Sequence, residues 1–171
     1  PTGIGFDPLS SAHHAGLISI AVVATLSFVA TFLLATFITY RLLFSSSDGT
    51  RYIGRNQYIV LIYNLILADM QQSLAFLICI KWVQEGKIEA YSTACFLQGF
   101  WLQVGDPSSG IFVCAIALHT FLLVIMEQRL KHQVFVIGVI GLWLFIVLLV
   151  LVPIGLHGRH IFLPSGAWVS N

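Results

Sequence analysis

Charged residues are scarce in this chain: Asp, Glu, Lys and Arg make up only 9% of its 171 positions. Water-soluble domains carry about 25% charged residues, so this scarcity excludes a soluble globular protein. The formal net charge of +1 also lacks the basic excess of a nucleic-acid-binding surface, and we expect no nucleic-acid partner. Hydrophobic residues make up 58% of the chain, so membrane lipid is the expected partner.

Cysteine is also rare, and its three positions lack the close spacing of a metal site. Cys79 and Cys114 fall inside apolar runs, where a thiol usually packs as a small apolar side chain. No paired carboxylates, HExxH-type pair or Ser/His/Asp set stands out, and Asp106 and His119 would lie about 20 Å apart along one helix. We therefore predict no catalytic residues, no metal and no cofactor, and we do not expect an enzyme.

Four apolar runs are each long enough to form a membrane-spanning helix, which needs about 20 mostly apolar residues. The runs are continuous and do not alternate, which favours helices, because only helices and closed barrels satisfy backbone polar groups in lipid. The predicted fold class is therefore all-α, a polytopic transmembrane bundle with one domain over 1–171. The predicted helices cover 17–43, 58–80, 90–126 and 134–156.

The distribution of positive charge between the connectors predicts the orientation. Five basic residues fall in the connectors after the first and third spans, against three on the other side. Because cytoplasmic loops are enriched in Lys and Arg, this bias places the N-terminus outside the cell. No basic segment precedes the first apolar run, so we expect that run to remain as an anchor rather than be cleaved as a signal peptide. The expected location is the plasma membrane, with multiple passes.

The second predicted span contains an acid, Asp69, within an otherwise apolar run. A charge at membrane depth is disfavoured by about 2.5–3.5 kcal/mol, so such a residue normally faces a protein interior and has a role there. Gln72 and Ser73 follow on the same helical face and can donate hydrogen bonds to the carboxylate. Two interpretations remain open: a hydrogen-bond hub between helices, or an ion- or proton-sensitive polar switch that includes Asn64 and His119.

The third predicted span has a polar outer half, in which Gln98, Gln103 and Asp106 are the candidate ligand-binding residues. Pro107 removes a backbone donor and is expected to kink or locally unwind the helix. A kinked, polar half of a helix suits a ligand cavity, and hydrogen bonding to neighbouring helices is an equal alternative. His119, deeper in this span, is interpreted as an interhelical hydrogen-bonding residue, with a proton relay as the alternative.

The fourth predicted span contains features that we interpret as packing. Gly138 and Gly141 lie close to Trp143 in the sequence, and such small residues permit the close approach of a neighbouring helix. Pro153 is expected to kink this helix near its outer end.

The second span has the pattern N-L-x-x-A-D from Asn64 to Asp69, which resembles the second helix of seven-helix G-protein-coupled receptors. The third span has C-x-x-Q-G-F-x-x-Q from Cys95 to Gln103 and A-I-A-L-H-T over 115–120. Both are similar to the third helix of cAMP-receptor-like and fungal carbon-sensing receptors. Residues 162–168 resemble the second outer loop of the same receptors.

The resemblance implies that these are the first four helices of such a receptor and that the chain is truncated at its C-terminal end. It implies an unknown extracellular ligand and a heterotrimeric G protein as partners, with Arg129 and Lys131 on the cytoplasmic, G-protein-facing side. It also implies a disulfide from Cys95 to the second outer loop, where Val169 stands in place of the family's cysteine. Gln128 interrupts the acid–arginine motif of rhodopsin-like receptors, so no arginine-switch role is transferred.

Other functions remain open from the sequence. If only these four helices are produced, the resemblance implies a non-signalling or interfering fragment. A four-span scaffold, whose polar face assembles oligomers, is one alternative. A transporter or channel subunit that uses Asp69 and Asp106 is another, although the sequence has no internal repeat to support a transporter.

Overall fold

The computed structural model describes the backbone of residues 5–6, 11–44, 56–89, 92–128, 130–157, 163–165 and 168–170. Within these residues the fold is a bundle of four long helical spans, which confirms the predicted all-α class. Each span is long and apolar enough to cross a membrane. The chain is therefore a multi-pass membrane protein.

The second span consists of two helices that meet at Ile78. Along the described chain the helices are α1 (Ser11–Phe44), α2 (Gln57–Leu77), α3 (Cys79–Glu85), α4 (Thr93–Val124) and α5 (His132–His157). The first span begins at Ser11 rather than at residue 17, and the second continues to Glu85 rather than residue 80. The remaining bounds lie within a few residues of the predicted ranges.

Local capping determines where several helices begin and end. The Asn56 side chain precedes α2 and accepts a hydrogen bond of 3.1 Å from the backbone N–H of Tyr58. Ser92 precedes α4 and accepts one of 3.1 Å from the backbone N–H of Cys95. Such caps satisfy donors that the first helical turn leaves open. Gly86 ends α3 in the left-handed conformation, with φ of 65°, which glycine adopts without strain.

Strands in the described residues form two short antiparallel pairs outside the spans. β1 (Gly5–Phe6) pairs with β2 (Ile88–Glu89), and β3 (Leu163–Ser165) pairs with β4 (Trp168–Ser170). The first pair joins the segment before α1 to the connector between α3 and α4, so both lie at the same end of the bundle. β4 also contacts α4.

Two clusters of buried side chains hold the helices together, and the interface between α2 and α4 is the most extensive. The buried members of the first cluster are Leu17, Ala21, Cys79, Trp82 and Cys95. Those of the second cluster are Leu61, Ala68, Phe112, Phe135 and Ile146. Many large apolar side chains of α1 and α5 are exposed instead, which is the surface that lipid contact requires.

The tightest helix contact at a glycine occurs where α4 crosses α2. A Cβ added to Gly105 would meet the backbone N, the Cα and the Cβ of Gln72 at 2.8 Å, so only glycine fits there. At Gly138 and Gly141, where small residues permit a close approach, no other described helix comes close, because a Cβ at either position would meet nothing within 4 Å. Small residues permit helix contact but do not enforce it, and both of these glycines lie on the exposed surface of α5.

Candidate functional site

The carboxylate of Asp69 faces the neighbouring helix α4. Its Oδ1 accepts a hydrogen bond of 2.7 Å from the hydroxyl of Ser109, which lies 40 positions later in the chain. Intramembrane acids normally turn toward the bundle interior and pair with a polar group there, because lipid offers no donor. The Asp69–Ser109 pair is such a contact, and it joins α2 to α4.

Gln72 and Ser73 have partners other than the Asp69 carboxylate, so their predicted donation to that group is not found. The Ser73 hydroxyl donates to the backbone carbonyl of Asp69 at 2.8 Å and lies 3.0 Å from the hydroxyl oxygen of Ser27 on α1. A serine within a helix commonly bonds the carbonyl four residues earlier, and this local option is the one taken. The side chain of Gln72 lies next to the side chain of Asp106 on α4.

These two contacts follow from one antiparallel register between α2 and α4. Moving from Asp69 to Gln72 advances α2 by about one turn, and moving from Ser109 to Asp106 goes back along α4 by the same distance. Asp69 therefore pairs with Ser109, and Gln72 pairs with Asp106. Gly105 lies beside Asp106, and its missing side chain allows the two backbones to approach closely enough. We call Asp69, Gln72, Asp106 and Ser109 the acidic seam.

Asp106 also belongs to a side of α4 that is open. Asp106, Gly110, Val113 and Ala117 are all exposed and follow one another at helical spacing, so they share one face. We call these four residues the open face. It carries a carboxylate well inside the span Thr93–Val124. The acidic seam thus connects a partly buried acid, Asp69, with an acid that is accessible from outside the described bundle.

Pro107 does not interrupt α4, which remains helical from Thr93 to Val124, so of the two expected effects, a kink or local unwinding, the unwinding does not occur. Proline leaves the carbonyl four residues earlier without its backbone donor, which here is the carbonyl of Gln103. The neighbouring Ser108 hydroxyl hydrogen-bonds the carbonyl oxygens of Val104 and Gly105, at 2.6 and 2.9 Å. The helix thus remains continuous, and the Ser108 hydroxyl bonds the two carbonyls that follow that of Gln103.

Gln98, one of the three candidate ligand-binding residues, is completely buried. Its Oε1 accepts a hydrogen bond of 2.7 Å from the indole N–H of Trp82, and its Nε2 donates to the Cys79 sulfur at 3.4 Å. Cys95, the disulfide candidate, is 1% exposed and packs in the same cluster. Gln98 and Cys95 therefore lie in the core that joins α3 to α4. Gln103, which is partly buried, and Asp106 are the more accessible candidates.

A further polar contact, which the sequence analysis did not identify, joins α2 to α5. The indole N–H of Trp143 donates to Oδ1 of Asn64 at 2.7 Å, and Nδ2 of Asn64 donates to the carbonyl of Val60 at 2.8 Å. A signal for it was present, because an indole N–H within an apolar span needs an acceptor and side-chain acceptors are few there. The contact makes Asn64 a structural link between helices.

His119 lies toward the end of the bundle at which α2 begins, α4 ends and α5 begins. Gln57 connects it to the chain between α4 and α5: Nε2 of Gln57 donates to the carbonyl of Leu130, and Oε1 lies 2.9 Å from Nε2 of His119. Since an amide oxygen only accepts, this arrangement assigns the proton to Nε2 of His119. Lys131 is exposed nearby along the chain, and Arg129 lies outside the described residues.

The polar side chains between the helices can bind a ligand through hydrogen bonds and can exchange their hydrogen-bond partners. Within the described part of the chain, no group of three His, Cys, Asp or Glu side chains is placed to hold a metal ion. The polar side chains instead connect α2 to each of its neighbours. Comparison with known proteins finds no match among protein-family models, curated proteins or solved structures.

Proposed function

We propose that this chain forms the first four helices of a G-protein-coupled-receptor-like protein of the plasma membrane. The receptor senses an extracellular cue and signals to a heterotrimeric G protein. The motifs N-L-x-x-A-D of α2 and C-x-x-Q-G-F-x-x-Q of α4 support this proposal through their resemblance to receptor helices. The charge distribution supports an outside N-terminus, which puts Lys131 on the cytoplasmic side.

The observation that carries the proposal is the exposed carboxylate of Asp106 on the open face. An acid at membrane depth is disfavoured by about 2.5–3.5 kcal/mol, so this face requires cover by protein or by a water-filled cavity. A body of four helices surrounded by lipid would leave the acid in hydrocarbon. A receptor with additional helices would supply both the protein cover and a polar cavity that opens to the outside.

We assign the cue-sensing role to Gln103 and Asp106, and a structural role to Gln98. Gln103 lies about one turn before Asp106 along α4, so a ligand in a cavity at the open face would meet both side chains. A ligand that hydrogen-bonds Asp106 competes with Gln72 for the same carboxylate. Because the register between α2 and α4 determines both contacts, loss of the Gln72 contact changes the hydrogen bond between Asp69 and Ser109, which lies one helical turn away. In this proposal the acidic seam is the polar switch.

The test uses the receptor in its full-length form, with Asp69→Asn as the main variant. The amide keeps an oxygen that can accept from Ser109, so we expect near-normal surface expression with altered coupling. G-protein activation is measured by energy transfer between labelled Gα and Gβγ while cells receive panels of sugars, nucleotides, amino acids and lipids. Thr36→Val, on the exposed surface of α1, is the control and should leave both readouts unchanged.

Two outcomes would contradict parts of the proposal. If Asp69→Asn lowers surface protein and signal equally, Asp69 is a folding residue and not a switch. If Gln103→Ala and Asp106→Ala both leave the dose–response curve of an activating compound unchanged, neither residue contacts the ligand.

A four-span scaffold is the second candidate, because another copy of the chain could cover the open face. Gly110 and Ala117 on this face are small, which is typical of interfaces between membrane helices. In that case Asp106→Asn should change the oligomeric state in lipid nanodiscs, measured by light scattering, while Thr36→Val should not. A transporter or channel subunit would instead lose solute flux in the Asp69→Asn and Asp106→Asn variants.

A further inference from the structure

Within the described residues, the two clusters of buried side chains share no member. The first cluster joins the beginning of α1 to α3 and to the beginning of α4. The second cluster joins α2 to α5 and to the middle of α4. Cys95 of the first cluster and Phe112 of the second lie about 25 Å apart along α4. The described helices therefore pack as two bodies, one around each cluster.

The boundary between the two bodies crosses three of the four spans. Partly buried side chains that pack against each cluster extend both bodies, and they do not overlap either. The change from one cluster to the other falls between Ala68 and Phe76 in the second span, between Phe100 and Val104 in α4, and between Ile146 and Ile154 in α5. We call these three stretches the boundary intervals.

Two prolines remove backbone hydrogen bonds within the boundary intervals. Pro107 leaves the carbonyl of Gln103 in α4 without its backbone donor, because a proline has no N–H. Pro153 does the same to the carbonyl of Leu149 in α5. Both helices continue past their proline, so each is intact but has lost one bond of its ladder at the boundary.

The second span changes its backbone hydrogen bonding next to its boundary interval, although it has no proline or glycine between positions 57 and 85. The N–H of Ile78, which joins α2 to α3, donates to the carbonyl of Ala75 at 3.3 Å. The N–H of Lys81 donates to the carbonyl of Ile78 at 3.0 Å. Both bonds span three residues rather than four, and such a stretch within a long helix often marks a hinge.

These weak points lie at nearly the same depth in the bundle. The hydrogen bond between Asp69 and Ser109 places Gln103 beside Ala75, because each lies six residues further toward the first cluster. The indole contact between α2 and α5 places Leu149 beside position 70 of α2 by the same count. Positions 70 and 75 are about 8 Å apart along a helix. We call Gln103, Leu149 and the junction at Ile78 the weak layer.

Contacts on each side of the weak layer hold the helices of that side together. Gln98 is completely buried and bonds both Trp82 and Cys79, which ties α3 to α4. The strand β2, which follows α3, pairs with β1, which precedes α1. On the other side, the hydrogen bond between Trp143 and Asn64 ties α5 to α2. Each side therefore has its own core and its own polar contacts between helices.

We propose that the weak layer is a hinge, about which the body around the first cluster tilts relative to the body around the second. α1 passes this level as an uninterrupted helix and is the pivot. Gln72 and Asp106 lie about one turn from the weak layer, so the tilt changes their separation. The hinge needs only the folded chain in a bilayer and does not depend on receptor activity.

The experiment measures distances between nitroxide spin labels by double electron–electron resonance in lipid nanodiscs. Each pair has one label on α4 and one on α5, at exposed positions. Labels at Leu97 and Ile137 lie on opposite sides of the weak layer, and labels at Val124 and Leu148 lie on the same side. We expect the distance distribution of the first pair to be about twofold broader than that of the second, because only the first pair spans the hinge.

The labelling uses a Cys114→Ser background, since Cys114 is exposed whereas Cys79 and Cys95 are buried. A sample without added cysteines checks that the two buried thiols remain unlabelled.

Proline substitutions test whether the missing backbone bonds cause the breadth. The double variant Pro107→Ala and Pro153→Ala restores both donors, and we expect it to narrow the Leu97–Ile137 distribution to the width of the same-side pair. Pro164→Ala makes the same chemical change in β3, outside the spans, and should leave the distribution unchanged. Each single variant provides the test if the double variant does not fold.

Three results would overturn the hinge. Equal widths for the two label pairs would show that the bundle moves as one body. An unchanged width in the proline variants would show that the weak layer does not control the motion. Equal narrowing by Pro164→Ala would show a general effect of proline removal. All three are distance measurements without ligand or G protein, so they remain distinct from failure of the proposed receptor function.

Discussion

Gly105→Ala should destabilise the bundle by separating α2 from α4. The added Cβ would lie 2.8 Å from three atoms of Gln72, two of which belong to the backbone and cannot rotate away. Ordinary carbon contacts lie at about 3.5–4.0 Å, so the helices must separate locally by several tenths of an ångström or more. Overpacking of this kind costs about 1–3 kcal/mol.

Gly110→Ala is the matched control for that variant. It makes the same chemical change on the same helix, where the new Cβ meets nothing within 4 Å. Alanine has a higher helix propensity than glycine by about 1 kcal/mol, and this gain is common to both variants. The difference between the two therefore isolates the steric effect, and we expect Gly105→Ala to be less stable than Gly110→Ala by about 1–3 kcal/mol.

The assay is unfolding of the purified protein in mixed micelles by a graded fraction of denaturing detergent. It is followed by tryptophan fluorescence, since Trp82 and Trp143 both take part in contacts between helices. Equal stability of the two variants would refute the close crossing of α2 and α4 at Gly105. It would also remove the geometric basis for the acidic seam, because Asp106 follows Gly105 directly.

Two further predictions concern the indole hydrogen bonds. In a double-mutant cycle, Trp143→Phe and Asn64→Leu should show a coupling free energy of about 0.6 kcal/mol, the average for hydrogen bonds between membrane helices, and a coupling of zero in the same unfolding assay would contradict the contact. Gln98→Leu should destabilise by about 1–3 kcal/mol, because it leaves the buried N–H of Trp82 without an acceptor. Adding Trp82→Phe to that variant should be less harmful than the sum of the single changes, and strict additivity would argue against the pair.

The helical spans were predictable because one physical effect decides them. A polypeptide in lipid must satisfy its backbone hydrogen bonds within each segment, so a long apolar run has almost no alternative to a helix. The bounds were less predictable, since they depend on local caps such as Asn56 and Ser92 and on the extension of the second span through α3. The inward orientation of Asp69 followed from the same preference for burying charge.

The partners of the polar residues were less predictable, because a partner depends on the register between two helices. Spacing within α2 suggested Ser73 as a donor to Asp69, whereas the structure provides Ser109 from α4. The glycine positions show the same limitation. Gly105, Gly138 and Gly141 look alike in sequence, and only contact with Gln72 distinguishes Gly105.

The distribution of polar contacts leads to one mechanistic argument. α2 is connected through side chains to α4 by Ser109 and to α5 by Trp143, so it behaves as the fixed centre of the described bundle. Asp106 lies at the edge of the interface between α4 and α2, where it is exposed and also next to Gln72. A polar group that binds Asp106 at the open face can therefore act on α2 by weakening or replacing the Gln72–Asp106 contact. If this route operates, Gln72→Leu should remove the effect of the ligand on Asp69 while leaving ligand binding at Asp106 intact. If Gln72→Leu removes both the effect on Asp69 and ligand binding at Asp106, the coupling does not run through the Gln72–Asp106 contact.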